Sequence, residues 1–288
     1  MNDRVPHSSE TQSIRMADCH MHTPLCGHAI GEPQEYVDAA LAEKFDLITF
    51  TCHVPMKHAG FGGQNMRMPR EQISVYREKI KAAREYGAER GIEVLYGIEA
   101  EYFPEEHYLR DMDILLDEEP LDFVLGSLHA ALPIFREWLQ THNCDSNESI
   151  VRAYFEQLIN AIHSKRYDSL SHPDVIRLYG VLPEPFQPQK HESIIREFLK
   201  EARIHDQCLE INTSGLIKGD YVVHPDPIIL KWASENGNRF TLGSDAHQPS
   251  SVGQGFKMIT HRLLHDHGIR KLVYFKQRNP MEWSFASE

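Results

Sequence analysis

From Met16 to Phe275, short apolar or β-branched runs alternate with amphipathic segments, a pattern that points to repeated strand-helix units. Met16 to Thr23 reads as a strand before a helix over Pro33 to Lys44, and Leu47 to His53 as a strand before Arg70 to Arg90. Ile92 to Tyr102 then precedes a helix at Glu105 to Asp117, and Phe123 to His129 precedes Glu148 to Lys165. Ser169 to His172, Cys208 to Thr213, Arg239 to Ser244 and Lys271 to Phe275 continue the strands, interleaved with helices at His191 to His205, Asp226 to Glu235 and Gly255 to His267. No Pro/Gly/Ser-rich linker interrupts the series, so an α/β fold is expected, as one closed or nearly closed β/α barrel. The alternative, a doubly wound nucleotide-binding sheet, lacks both a Gly-x-Gly-x-x-Gly turn after its first strand and a Walker A loop. Residues 1–15 are polar and aperiodic and are expected to be a flexible leader, leaving 16–288 as a single domain.

Composition excludes several classes. Acidic residues outnumber basic ones by 42 to 30, so the overall field repels nucleic acid and anionic membrane surfaces, and an anionic substrate needs a local cation. Five irregularly spaced cysteines and the absence of an early apolar stretch argue against a disulfide framework or secretion, and for a reducing cytoplasm. No run of apolar residues is long enough for a membrane span. Histidine, by contrast, is abundant at 18 residues, which raises the question of imidazole ligation.

The histidines and acids fall at the ends of the expected strands: Asp18, His20 and His22, with His28 just beyond, then His53, Glu99, His129, His172, Glu210 and the pair Asp245 and His247. In a β/α barrel all these ends open on one face, so residues far apart in the chain converge. His20 and His22 share a strand face, as do Asp245 and His247, and each pair could grip one ion. So many imidazoles exceed the four ligands of one tetrahedral zinc and suit two or three divalent ions bridged by a carboxylate. Cys19, Cys26 and Cys52 adjoin these positions, but strand parity or loop position marks them as small buried residues rather than ligands.

Asp18-Cys19-His20-Met21-His22-Thr23-Pro24-Leu25-Cys26-Gly27-His28-Ala29 resembles the first motif of the PHP (polymerase and histidinol phosphatase) family, in the form of its histidinol-phosphatase branch. Thr51-Cys52-His53-Val54-Pro55, Gly97-Ile98-Glu99-Ala100-Glu101-Tyr102, Ser127-Leu128-His129, Ser171-His172-Pro173-Asp174, Glu210-Ile211-Asn212-Thr213-Ser214-Gly215-Leu216 and Gly243-Ser244-Asp245-Ala246-His247 follow in the family's order. The resemblance implies a distorted (β/α)7 TIM-like barrel with a multinuclear centre of zinc, iron or manganese. Its ligands would be His20, His22, His28, His53, Glu99, His129, His172, Asp245 and His247, with Glu99 as the bridging carboxylate.

The same resemblance implies a metal-dependent phosphomonoesterase acting on L-histidinol phosphate in histidine biosynthesis, with a metal-bridging hydroxide as nucleophile and Asp245 or His247 relaying a proton to the leaving alkoxide. The phosphate then needs a cation and the substrate amine an acid. Arg177 is the expected guanidinium, Lys218 stands near the position where that branch carries an arginine, and Glu101 or Asp174 is expected to meet the amine. The alternatives are a phosphodiester or nucleotide substrate for the same centre, or a catalytically silent metal-binding protein.

Overall fold

The computed structural model describes residues 14–216 and 223–284, the side chains of 64 and 262–264 excepted. Its framework runs in chain order through β1 (Ala17–Asp18), α1 (Pro33–Ala42), β2 (Leu47–Phe50), α2 (Ile73–Ala88), β3 (Glu93–Glu101), α3 (Glu106–Glu118) and β4 (Phe123–Ser127). It continues with α4 (Pro133–Thr141), α5 (Asn147–Ser164), β5 (Ser169–Leu170), α6 (Glu192–Ile204), β6 (Cys208–Asn212), α7 (Pro227–Glu235) and β7 (Phe240–Gly243). The last elements are α8 (Phe256–Asp266), β8 (Leu272–Lys276) and β9 (Asn279–Trp283).

Strands β1 to β7 pair in sequential order and in parallel. The sheet then closes on itself: Cys19 N donates to Leu242 O and His22 N to Ala246 O, each at 2.9 Å. This is the seven-stranded barrel that the family resemblance implies. Both faces of such strands are covered, which is why β2, β4, β6 and β7 are buried throughout without polar alternation.

Three elements depart from the sequence reading. Regular pairing in β1 stops at Asp18, because beyond it the chain bends to present His20 and His22 and meets β7 and the residues after it through single hydrogen bonds and the isolated Met21–Ala246 bridge. Helix α4 has no counterpart among the expected helices; Pro133 opens it and Ile134, Phe135 and Leu139 bury its inner face. The run near Lys271 to Phe275 is not a barrel strand: β8 pairs antiparallel with β9. That hairpin packs at the N-terminal ends of β3 and β4, where Arg278 N donates to Asp122 O at 2.9 Å and Phe275 stacks on Phe123, with ring centroids 5.3 Å apart. It therefore lies opposite the face that carries the histidines.

The expected leader falls mostly outside the described residues. Order is evident by Arg15, whose backbone N–H donates to Asp46 Oδ2 at 2.8 Å. Among the described residues, no helix is long and apolar enough to cross a membrane.

Candidate metal centre

The barrel mouth brings all nine expected ligands together, around Glu99. This residue sits inside β3, almost wholly buried, and its two oxygens face different histidines. Oε1 lies 3.3 Å from His172 Nε2 and 3.6 Å from His129 Nε2. Oε2 lies 2.7 Å from His53 Nδ1 and 3.7 Å from Nε2 of both His20 and His22. A second carboxylate closes the other side: Asp245 Oδ1 is 3.2 Å from His22 Nε2, 3.6 Å from His20 Nε2 and 3.4 Å from His247 Nδ1. His28, at the rim, reaches back so that its Nε2 lies 2.9 Å from His247 Nε2.

Buried partners aim these groups. His20 Nδ1 meets Glu210 Oε1 at 2.6 Å, while the other Glu210 oxygen accepts from His172 N at 2.9 Å. Ser127 Oγ donates to Glu99 Oε1 and stands 2.8 Å from Ser171 Oγ. Glu101 accepts from His129 twice, at the backbone N–H and at Nδ1, each at 2.7 Å. Partners of this kind fix a histidine's tautomer and ring angle. Asp18 does not join the donors; it accepts from Ser244 N at 2.9 Å and Gly253 N at 3.0 Å, latching the loops after β7 to the start of β1, and burial pushes its carboxyl up to about 6. Two candidate ligands, Asp245 and His172, hold positive φ values of 52° and 22°. Such backbone costs on the order of 1 kcal/mol or more and persists where the surroundings demand a particular side-chain direction.

The donor chemistry fits divalent ions. Nε2 of His20 and of His22 stand 3.0 Å apart, both turned to the same Asp245 oxygen. Glu99 Oε2 and His53 Nδ1 are buried and only 2.7 Å apart, yet neither has a hydrogen-bond partner, since they meet out of line. Donors that crowd a common point without bonding one another are arranged for a cation. The electrostatics agree: burial alone would raise the Glu99 carboxyl, but the adjacent His53 and His20 imidazoles hold it well below the usual range. The close donor sets include His20, His22 and Asp245; Glu99, His129 and His172; and His22, His53 and His247.

Outside the centre lies a cavity of about 580 Å³, lined by His28, His53, His129, His172, Asp245 and His247 on its floor. Its walls include Arg67, Leu132, Val175, Tyr179, Ser214 and His224. The expected substrate contacts differ from this wall. Arg177 does not line the cavity; its guanidinium donates to Val223 O and, at 3.3 Å, to Asp226 Oδ2, with Nε 3.4 Å from Asp174 Oδ2. Asp174 is fully buried, receiving Asp226 N at 2.7 Å and His224 Nδ1 at 2.5 Å. Glu101 is likewise spent on His129 and on Arg67, whose Nη2 donates to it at 2.5 Å. In all three a buried charge pairs inward with a neighbour. Lys218 lies outside the described residues. Arg67 and His224 are the cavity-lining groups that sequence reasoning missed; neither stands at a strand end, the signal that marks the ligands.

Cys26 and Cys52 are buried, as expected. Their sulfurs and a ring nitrogen of His22 lie within 4.8 Å of one another.

A closed parallel barrel with a cluster of imidazoles and bridging carboxylate at its mouth defines a metal-binding barrel protein of the hydrolase type. The PHP domain model matches residues 18–214, and the chain belongs to the PHP family. The Deinococcus radiodurans protein named "Probable histidinol-phosphatase" is 31% identical over 254 residues, covering 84% of this chain and 90% of its own length. The Bacillus subtilis protein named "Histidinol-phosphatase" is 24% identical over 277 residues, 86% of this chain and 100% of that one. Among solved structures, histidinol phosphate phosphatase from Lactococcus lactis, complexed with zinc, L-histidinol and phosphate, has the same fold. Its TM-score is 0.70 at 20% identity, over 93% of this chain and 100% of that one.

Proposed function

We propose that this protein is a metal-dependent phosphomonoesterase that hydrolyses L-histidinol phosphate to L-histidinol and phosphate, in the cytoplasm and within histidine biosynthesis. The observation that carries the reading is Glu99, whose two oxygens face separate imidazole groups beneath an open cavity. The relationship to histidinol-phosphatases, over more than four fifths of the chain, supports the substrate.

In this reading His20, His22 and Asp245 would hold one ion, and Glu99, His129 and His172 a second. His53 and His247, with His28 at the rim, serve a third. When bound, such ions supply an ionised water as nucleophile and neutralise the phosphoryl oxygens. The chain's own part is to fix and orient. Glu210 keeps His20 Nδ1 occupied so that Nε2 faces the centre, and Glu101 does the same for His129. Asp245 or His247, both on the cavity floor, hands the leaving alkoxide its proton. Leu132 and Val175 offer the apolar wall against which an imidazole ring packs, and Arg67 is the arginine among the lining residues, held in place by its pairing with Glu101.

The test is the ratio of kcat/KM values for L-histidinol phosphate, a plain alkyl phosphate and a nucleotide diester, measured on zinc- and manganese-loaded protein. Preference for histidinol phosphate by about an order of magnitude or more is expected. Equal rates on the alkyl ester, or faster diester cleavage, would overturn the substrate assignment.

A further inference from the structure

Two thiols beside the centre have no role in the hydrolysis described above. Cys26 follows the loop turn after β1 and Cys52 follows β2, and both are buried without solvent exposure. Their sulfurs and a His22 ring nitrogen all lie within 4.8 Å of one another. His22 Nε2 is turned to His20 and Asp245, at 3.0 and 3.2 Å, which leaves Nδ1 on the opposite side of the ring. That Nδ1 is buried and has no hydrogen-bond partner. Thr23 Oγ1 donates to Cys52 Sγ at 3.2 Å, the kind of contact that orients a ligating sulfur.

Two sulfurs and one imidazole are a soft donor set, in contrast to the imidazoles and carboxylates of the main centre. Soft donors select zinc and its thiophilic neighbours over magnesium or manganese. A tetrahedral zinc holds sulfur and nitrogen at about 2.3 and 2.0 Å, so its donors stand roughly 3.5 Å apart, inside the 4.8 Å within which the two sulfurs and the ring nitrogen fall here.

We propose that Cys26, Cys52 and His22 form a separate sulfur-bearing site for one zinc-class ion, sharing the His22 ring with the main centre. On binding, both thiol protons and the remaining ring proton of His22 leave to solvent, and no electron is exchanged. The site stiffens the join between the β1 loop and the end of β2, the two segments that also deliver His28 and His53.

The test is spectroscopic and compositional, and it does not depend on phosphatase activity. Metal-free protein is titrated with cobalt(II), and zinc-loaded protein is analysed for zinc per chain. The parent is expected to show a sulfur-to-cobalt charge-transfer band in the near ultraviolet. A Cys26→Ser/Cys52→Ser double variant should lose that band and retain one zinc fewer per chain, whereas Cys208→Ser, a buried thiol on β6, should change neither. A cobalt-loaded parent without the band overturns the site, and so does a zinc count changed by any number other than one. Should the double variant fail to fold, the parent's spectrum alone decides. A parent that shows the band but hydrolyses no phosphate ester would overturn the proposed function and leave this site standing.

Discussion

His20, just past β1, and Glu210 on β6 meet at 2.6 Å across the closing edge of the barrel, although they are 190 residues apart in the chain. The same carboxylate holds the backbone of His172, so one side chain sets two candidate ligands. Glu210→Ala should therefore weaken metal binding about ten- to hundredfold while the barrel stays folded. Chelator competition with circular dichroism on the same sample measures both; unchanged affinity would remove Glu210 from this role.

That contact requires Gly243. A Cβ there would overlap Glu210 Oε1 and lie 2.5 Å from His20 Cβ. Gly243→Ala is expected to destabilise the chain by about 1–3 kcal/mol, as overpacking does, and to lower metal affinity together with stability. Urea unfolding of metal-free and metal-loaded protein separates the two effects.

Arg67 and Glu101 form a pair in which both side chains are almost fully buried. Arg67→Met leaves the Glu101 charge with His129 as its remaining partner and should cost about 3–5 kcal/mol. Adding Glu101→Gln should return part of that loss, since the stranded charge is then gone. A double variant less stable than Arg67→Met would contradict the pairing.

Burial alone would raise the Asp174 carboxyl, but Arg177 and His224 hold it below its ordinary value of 3.8. A carboxyl depressed on folding contributes stability above its unfolded value, and the contribution is lost as pH falls through the lower folded value. The stability gap between parent and Asp174→Asn should therefore be full near neutrality and shrink from about pH 4 downward. A gap that widens on acidification would reverse the sign.

The fold and the convergence of imidazoles and carboxylates were legible for one reason, and the family resemblance supplied the choice of candidate ligands among them. Strand ends can be read from apolar periodicity, and a parallel barrel carries every strand end to the same face whatever lies between. His20, His53, Glu99, His129, His172 and Asp245 needed no knowledge of helix packing to be placed. The pattern could not show that β8 would leave the barrel and pair with β9, because an apolar run has the same period in a barrel strand and in a capping hairpin. Nor could it assign Arg177, Asp174 and Glu101. Whether a charged side chain at the mouth faces a ligand or a neighbour depends on which partner packing brings within hydrogen-bond reach, and burial makes the nearest opposite charge win. The sequence thus determined the class of fold and which imidazoles and carboxylates meet at the barrel mouth; tertiary structure decided which charges pair inward, because desolvation is settled only when the chain has packed.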